Sequence, residues 1–229
     1  MRILNVIPVR GGSKGIPRKN AAEVMAGVSL LEWTLRQAHE ACPPDDVMVS
    51  TEDAELARIA AGCGARVVDR PAELAQDGST TASVVAHLLG RVDPDASRYQ
   101  AISILQVTSP LREADDIRRS AQMIASGRFD SVVSAYQSFD CHPAKLYLLT
   151  PEGAQPVLPE LETGRRQDLP PVYRRNGAIF VVTRDFYART GRLWGGRTGL
   201  VEMPRARSVD VDAPEDLEAV RRYLAGSVR

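Results

Sequence analysis

Residues Ile3 to Val9 form an apolar run of strand character that passes directly into Arg10-Gly-Gly-Ser-Lys-Gly-Ile-Pro-Arg-Lys-Asn20, a loop with three glycines and four cations. This junction narrows the folds open to the chain more than any other stretch. Gly11, Gly12 and Gly15 allow the backbone to approach a ligand closely and to turn its N–H groups inward. Arg10, Lys14, Arg18 and Lys19 place positive charge around that cradle. Ligands of open α/β sheets bind at the carboxyl ends of strands, where such a loop sits. The chemistry it suits is holding a polyphosphate.

Spacing excludes two other phosphate loops. A Walker A loop requires G-x-x-x-x-G-K-S/T, and here Gly15 is followed by Ile16, Pro17 and Arg18. The dinucleotide fingerprint opens directly into a helix, which Pro17 and Asn20 interrupt. The formal net charge of zero argues against a nucleic-acid partner bound by phosphate neutralisation, so the cations of residues 10–19 mark a local site. Hydrophobic and charged fractions of 44% and 25% are those of an ordinary globular chain. With no signal peptide and no long apolar stretch, a cytoplasmic protein without a membrane partner is expected. Cys42, Cys63 and Cys141 form no C-x-x-C pair and read as reduced thiols.

Downstream, strand and helix patterns alternate. Helices are predicted over Ser29–Ala41, from Glu52 (capped by Thr51) to about Gly62, over Thr80–Leu89, Asp115–Ala125 and Pro214–Leu224. Strands are predicted over residues 46–50, 65–69, 101–105, 131–135 and 176–182. The predicted fold is therefore α/β: a Rossmann-like, mostly parallel sheet with helices on both faces, in a single domain spanning residues 1–229. Between about residues 140 and 175 the rhythm breaks. Six prolines there leave only residues 145–149 as a possible strand, so the segment reads as an inserted arm.

Four further segments carry polar residues where strands would end. Arg70-Pro-Ala-Glu-Leu-Ala-Gln-Asp77 follows a strand, and Leu105-Gln-Val-Thr-Ser-Pro-Leu-Arg112 sets Gln106, Thr108 and Ser109 to hydrogen-bond a base or a sugar. By itself the second is also an ordinary Ser-Pro helix start. Residues 164–177 bring four arginines into an irregular stretch. Val209-Asp-Val-Asp212 alternates, so on a strand edge Asp210 and Asp212 point the same way and suit Mg²⁺, which takes one or two carboxylates plus phosphate oxygens. Asp212 alone also reads as a cap for the helix starting at Pro214. His39 and His87 fall on helices and read as structural; His142 is the one histidine kept as a site candidate.

Taken together, these five segments resemble the CMP–acylneuraminate synthetases, cytidylyltransferases that activate sialic and related nonulosonic acids. The resemblance runs nearly end to end. It implies that Arg10, Ser13 and Lys19 hold the triphosphate of CTP, with Gly11 and Gly12 in the same loop, and that Asn20, Arg70 and Thr81 help bind the nucleotide. It sets Gln106, Lys145, Arg166 and Asn176 against the acid sugar, beside the motif neighbours Thr108, Ser109 and Gln167. Asp210 and Asp212 would carry Mg²⁺, and with Arg10 and Lys19 make up the candidate catalytic set. The arm at about 140–175 would reach into a second subunit, making a homodimer.

Three positions depart from the family pattern. Val107 replaces the usual proline between Gln106 and Thr108, and Phe180 stands where sialate-specific members often carry tyrosine. The aromatic pair those members contribute across the dimer has Trp194 as its only candidate substitute. The acceptor therefore stays open among a nonulosonic acid, 3-deoxy-manno-octulosonate and another small acid such as a phosphonate. A nucleotide-binding relative without turnover is the non-enzymatic alternative.

Overall fold

The computed structural model describes residues 1–13 and 15–227; Lys14, one of the four loop cations, lies outside the described residues. In chain order the elements are β1 (Ile3–Pro8), a hairpin of β2 (Glu23–Met25) and β3 (Val28–Ser29), α1 (Leu30–Ala41), β4 (Val47–Thr51), α2 (Ala54–Gly62), β5 (Arg66–Asp69), α3 (Thr81–Val92), β6 (Ala101–Leu105), α4 (Ala114–Ala125) and β7 (Ser131–Ser138). There follow a second hairpin, β8 (Tyr147–Thr150) and β9 (Gly153–Pro156), then β10 (Val172–Thr183), α5 (Arg184–Thr190), β11 (Thr198–Glu202) and α6 (Pro214–Ser227).

Seven strands form the central sheet in the order β11-β7-β10-β6-β1-β4-β5. All neighbours are parallel except β10, which runs antiparallel to both β6 and β7. The expected mostly parallel α/β sheet is thus present, with helices on both faces. Side chains alternate along β1 as a two-residue period demands: Leu4 and Val6 pack with Val85 and Leu88 of α3, while Ile7 packs with Leu31 and Leu35 of α1. The second cluster also takes in Ile117 of α4 and Leu224 of α6. No helix among the described residues is long and apolar enough to cross a membrane.

Side-chain caps fix where the helices begin. Ser29 accepts from the Glu32 N–H at 3.2 Å, and Thr80 from the Ser83 N–H at 3.1 Å. Asp53, not Thr51, caps α2, accepting from the N–H groups of Glu55 and Leu56 at 3.0 Å each. Thr51 instead completes β4, paired with Asp69. Two other expectations are corrected. β10 begins at Val172, opposite Ser138, so residues 172–175 belong to the sheet and not to the irregular excursion. Residues 209–212 lie outside any strand; a single backbone bond, Val211 N–H to the Thr108 carbonyl at 2.7 Å, secures them.

Just before that segment, Arg207 enters a buried ion pair with Asp116. Asp116, 1% exposed at its side chain, opens α4 and receives Arg207 Nη1 at 2.5 Å and Nη2 at 3.3 Å, Arg119 Nη2 at 2.5 Å and the Glu113 N–H at 2.9 Å. Arg207 Nη1 also reaches the Leu111 carbonyl at 3.2 Å. Burial works to raise the Asp116 carboxyl, but Arg207, the Glu113 N–H and Arg119 together hold it below the usual carboxylate range. Such a depressed group stabilises the fold fully above the unfolded-state pKa and loses that contribution as pH falls through its folded value. Asp116→Asn, which leaves Arg207 with only the exposed Glu113 carboxylate, 3.5 Å away, as counter-charge, is expected to cost about 3 kcal/mol in urea unfolding at pH 7. The gap to the wild type should narrow progressively below about pH 4; an equal gap at both pH values would show that charge is not what Asp116 contributes.

Candidate active site

β1 lies at the point where strand order reverses, with β4 on one side and β6 on the other. The crevice of a doubly wound sheet opens there. Here it is a cleft of about 420 Å³ walled by the loop after β1, the residues after β5, the start of α3 and the end of β6. The cleft brings together Arg10, Gly12, Ser13, Lys19 and Asn20 from the first loop with Arg70, Thr81, Gln106, Thr108 and Asp212.

The first loop is built from the protein side as much as for a ligand. Ile16 is buried in the core, and the Asn20 amide donates to the Arg10 carbonyl at 2.9 Å, pinning the loop's two ends together. Arg18, in the left-handed region at φ 55°, turns to α2 and pairs with Asp53 at 2.7 Å and with Glu55. It clamps the loop to the helix and adds no charge to the cradle, contrary to the sequence expectation. The Arg18 guanidinium, ahead of the Leu56 N–H, also holds Asp53 below the usual carboxylate range. The glycines divide in the same way. A Cβ at Gly15 would collide with the Asp212 carbonyl oxygen, and one at Gly11 with the Asp53 carboxylate, whereas Gly12 has open space around it. The Gly11 N–H is bonded to Glu52 Oε1 at 2.8 Å, so it faces a side chain and not the cleft.

Both cradle cations have carboxylate partners. Arg10 Nη2 meets Asp77 at 2.9 Å, and Lys19 Nζ meets Asp212 at 3.0 Å and the Val211 carbonyl at 2.6 Å. Arg70 is 5% exposed, anchored to the Ser50 side chain and carbonyl. Burial lowers its guanidinium from the ordinary value, with Glu52 opposing and Arg10 reinforcing. Asp210 sits beside the Thr108 hydroxyl; desolvation pushes its carboxyl up, and repulsion from Asp212 and Asp216 adds to this, against Thr108 and Lys19. Asp77 belongs to the segment after β5 that the sequence singled out, but its pairing with Arg10, like the bond of Glu52 to Gly11, carried no sequence signal because it forms only in the folded chain.

A second chamber of about 500 Å³ shares Thr81 and Gln106 with the first. Its other walls include Ile104, Phe180, Leu193 and Trp194. The Trp194 ring lies 5.4 Å from that of Phe180 and carries the Arg175 guanidinium 4.7 Å from its centre. Other sequence candidates lie apart from either chamber. Ser109 and Asn176 are buried beneath the cleft: the Asn176 amide is held by Ser134 at 2.6 Å and Ser208 at 2.9 Å, and Ser109 donates to the Asn176 carbonyl at 3.3 Å. Lys145 donates to the carbonyls of Glu162 and Gly164 at 2.7 and 3.0 Å, Arg166 to that of Phe139, and Gln167 is exposed; all three lie on the excursion between β7 and β10. His142 is there too, bonded to the Ala144 N–H and the Pro170 carbonyl.

Fold and cleft together define an α/β protein with a cation-lined crevice at the centre of its sheet. The sequence pattern of the cytidylyltransferase family matches residues 4–190, and the chain belongs to that family. It is 34% identical over 227 residues to the N-acylneuraminate cytidylyltransferase of Streptococcus agalactiae serotype V, a match covering 98% of this chain and 54% of the relative. With the N-acylneuraminate cytidylyltransferase of Oncorhynchus mykiss it shares 32% over 215 residues, covering 93% of this chain and 48% of that one. The chain thus spans about half the length of these relatives. Among solved structures, a CMP:2-keto-3-deoxy-manno-octonic acid synthetase complexed with CTP has the same fold, with a TM-score of 0.75 at 16% identity over 99% of this chain and 100% of that one.

The glycine geometry makes a differential prediction. Gly15→Ala, meeting a backbone oxygen that cannot swing away, is expected to cost about 1–3 kcal/mol, which lowers the Tm by about 2–10 °C for a chain of this size. Gly12→Ala, with open space, should leave the Tm within about 1 °C. Equal melting temperatures for the two variants in a calorimetric scan would remove the close packing of Gly15 on the Asp212 segment.

Proposed function

We propose that this chain transfers CMP from CTP to the anomeric hydroxyl of a nonulosonic acid, releasing pyrophosphate. The observation that carries this is the pair of chambers joined at Thr81 and Gln106, one lined by Arg10, Lys19 and Arg70, the other by apolar and aromatic walls. The first suits a triphosphate and its base; the second suits a sugar-sized acceptor. In the reaction the hydroxyl oxygen bonds to the α-phosphorus, the bond from that phosphorus to the bridging oxygen breaks, the pyrophosphate departs with the electron pair, and the hydroxyl proton is released. Such a transfer depends mostly on positioning and on neutralising phosphate charge. Arg10 and Lys19 would exchange Asp77 and Asp212 for phosphate oxygens and stabilise the leaving pyrophosphate. No protein nucleophile is required.

Asp210 and Asp212 fit a hard divalent cation. Their mutual repulsion and the desolvation of Asp210 disfavour two bare carboxylates, a cost that a dication removes. No group of three or more His, Cys, Asp or Glu suited to a metal occurs among the described residues, so phosphate oxygens and water would complete the shell, as is usual for Mg²⁺. Mg²⁺ held there would neutralise phosphate charge. The free cysteines suit a reducing compartment, and we place the reaction in the cytoplasm.

The excursion between β7 and β10 exposes Phe139, Leu146, Tyr147, Leu148 and Val157, and Leu149 at 89%. Contiguous exposed apolar residues of this kind mark an interaction surface. A second copy of the chain would cover them, making a homodimer, and the same contact would carry Lys145, Arg166 and Gln167 toward the partner's acceptor chamber. Deleting residues 145–170 is accordingly expected to yield a monomer by light scattering; an intact, active dimer would exclude this surface from assembly.

Pyrophosphate release with CTP and Mg²⁺ across a panel of nonulosonic acids, 3-deoxy-manno-octulosonate and phosphonates tests the reaction. Turnover with CTP and a nonulosonate, and none with ATP, GTP or UTP, is expected. Arg10→Ala and Asp212→Asn should each reduce it at least about a hundredfold, as loss of a transition-state contact does, while retaining the wild-type circular dichroism. Turnover confined to another acceptor would reassign the substrate, and CTP binding without any turnover would make the chain a nucleotide-binding relative.

A further inference from the structure

Arg112 is the largest fully buried side chain of the molecule, 0% exposed, at the end of the segment that begins with Gln106. Its Nη1 donates to the Gln106 carbonyl at 2.7 Å and to the Ala178 carbonyl at 3.0 Å. One nitrogen therefore ties the carboxyl end of β6 to the irregular turn inside β10, where the register with β7 shifts between Arg175 and Phe180. No carboxylate is hydrogen-bonded to it. The carboxylate whose charge it feels, Asp116, is engaged by Arg207 and Arg119. Nε and Nη2 of Arg112 are buried with no hydrogen-bond partner. Burial accordingly pushes this guanidinium down to about 9.

A buried cation with unpaired donors costs stability, so tying two carbonyls together does not by itself account for an arginine. What those carbonyls belong to does. Gly177, at φ 78°, precedes Ala178, and a Cβ placed on it would lie 3.2 Å from Gln106 Oε1, 3.6 Å from Ser109 Oγ and 3.9 Å from Asp210 Oδ2. The turn in β10, the Gln106 side chain and the Asp210 carboxylate thus converge on one point beside Gln106, which lines both chambers. Arg112 holds the backbone there, through the Gln106 carbonyl and that of Ala178, the residue after Gly177. From its other side the segment is gripped by α1: Gln37 Nε2 donates to the carbonyls of Pro110, at 2.7 Å, and Arg112, and Trp33 Nε1 to that of Pro110 at 2.9 Å.

We propose that Arg112 is a positioning residue for the transfer reaction: by holding the Gln106 and Ala178 carbonyls on one rigid group it fixes the spacing between the Gln106 side chain and the Gly177 turn, and so the approach of the acceptor hydroxyl to the α-phosphorus. The inference rests on the reaction proposed above. It assigns Arg112 no contact with either substrate. Its loss should therefore leave nucleotide binding intact and slow the chemical step, a split that a general loss of stability does not produce.

Arg112→Met and Arg112→Lys, compared with the wild type, test this by calorimetric titration of CTP and by single-turnover CMP transfer. Arg112→Met is expected to bind CTP within about threefold of the wild type and to transfer CMP at least about tenfold more slowly, as a misplaced reacting pair does. Arg112→Lys, which keeps one donor for the two carbonyls, should recover part of that rate. A transfer rate for Arg112→Met within about threefold of the wild type, or CTP affinity falling in step with the rate, would overturn the proposal. If Arg112→Met does not fold, Arg112→Lys carries the test: transfer slowed at least about threefold with unchanged CTP affinity supports the positioning role, and an unchanged rate overturns it. A wild-type protein that binds CTP yet transfers nothing to any acceptor fails the reaction itself, an outcome distinct from both.

Discussion

Everything at the site follows from the position of β1. A parallel strand with parallel partners on both sides must deliver its chain to the carboxyl edge of the sheet, and here the partners β4 and β6 lead their own connections in opposite directions. The crevice left between those connections is where Arg10 emerges, two residues beyond the end of β1. The rigidity of that delivery comes from burial. Leu4, Val6 and Ile7 are all 0% exposed, so the strand cannot slip without turning its apolar set out of both cores at once.

Around that fixed point the molecule balances charge locally. The chain is neutral overall, yet the crevice gathers Arg10, Lys19 and Arg70 on one side and Asp77 and Asp212 on the other. Arg10 and Lys19 each have a carboxylate within 3.0 Å, which balances their charge locally. Under the proposed function an incoming triphosphate would compete with single carboxylates that are themselves more than half exposed, Asp77 at 55% and Asp212 at 76%. Partners so open to water are weakly held. The buried pairs, Asp116–Arg207 above all, are kept for the scaffold behind the crevice, where one partner cannot leave without stranding the other.

How much of this was legible in the sequence depends on the range of the interaction involved. β1, α1, α3 and β6 were readable because their periodicity and caps are local, and the glycine-rich loop, by its own composition, pointed to the wall of the cleft at the end of β1. Arg18 was misread because its partners Asp53 and Glu55 come close only once α2 is packed against the loop. The alternation in Val209-Asp-Val-Asp212 mimicked a strand, but a two-residue period records an extended backbone and not a ladder, and only one backbone bond to Thr108 exists there. β11 escaped notice because Gly199 interrupts it; that glycine is required where a Cβ would strike the Phe129 ring. The start of β10 was hidden behind Pro170 and Pro171, and its exposed Tyr173 and Arg174 carry no buried face to betray it.

Under the proposed reaction both substrates are anions, and their meeting has to be paid for in cations. Two unit charges 4 Å apart repel by about 4 kcal/mol near a protein surface. The first chamber meets its half of this with Arg10, Lys19 and Arg70. The second is lined mainly by apolar and aromatic walls: among the described residues Arg192 is the cation lining it, and Arg175 lies stacked on Trp194 outside the lining. Lys145 and Arg166, the cations that the family resemblance sets against the acid sugar, are on an excursion whose exposed apolar residues call for a partner surface. One arrangement answers both facts, in which burial of the arm against a second copy supplies the energy and the arm delivers the missing charge to that copy's acceptor chamber. Assembly and acceptor recognition would then be a single event, and a monomer would retain its affinity for CTP while losing its hold on the sugar.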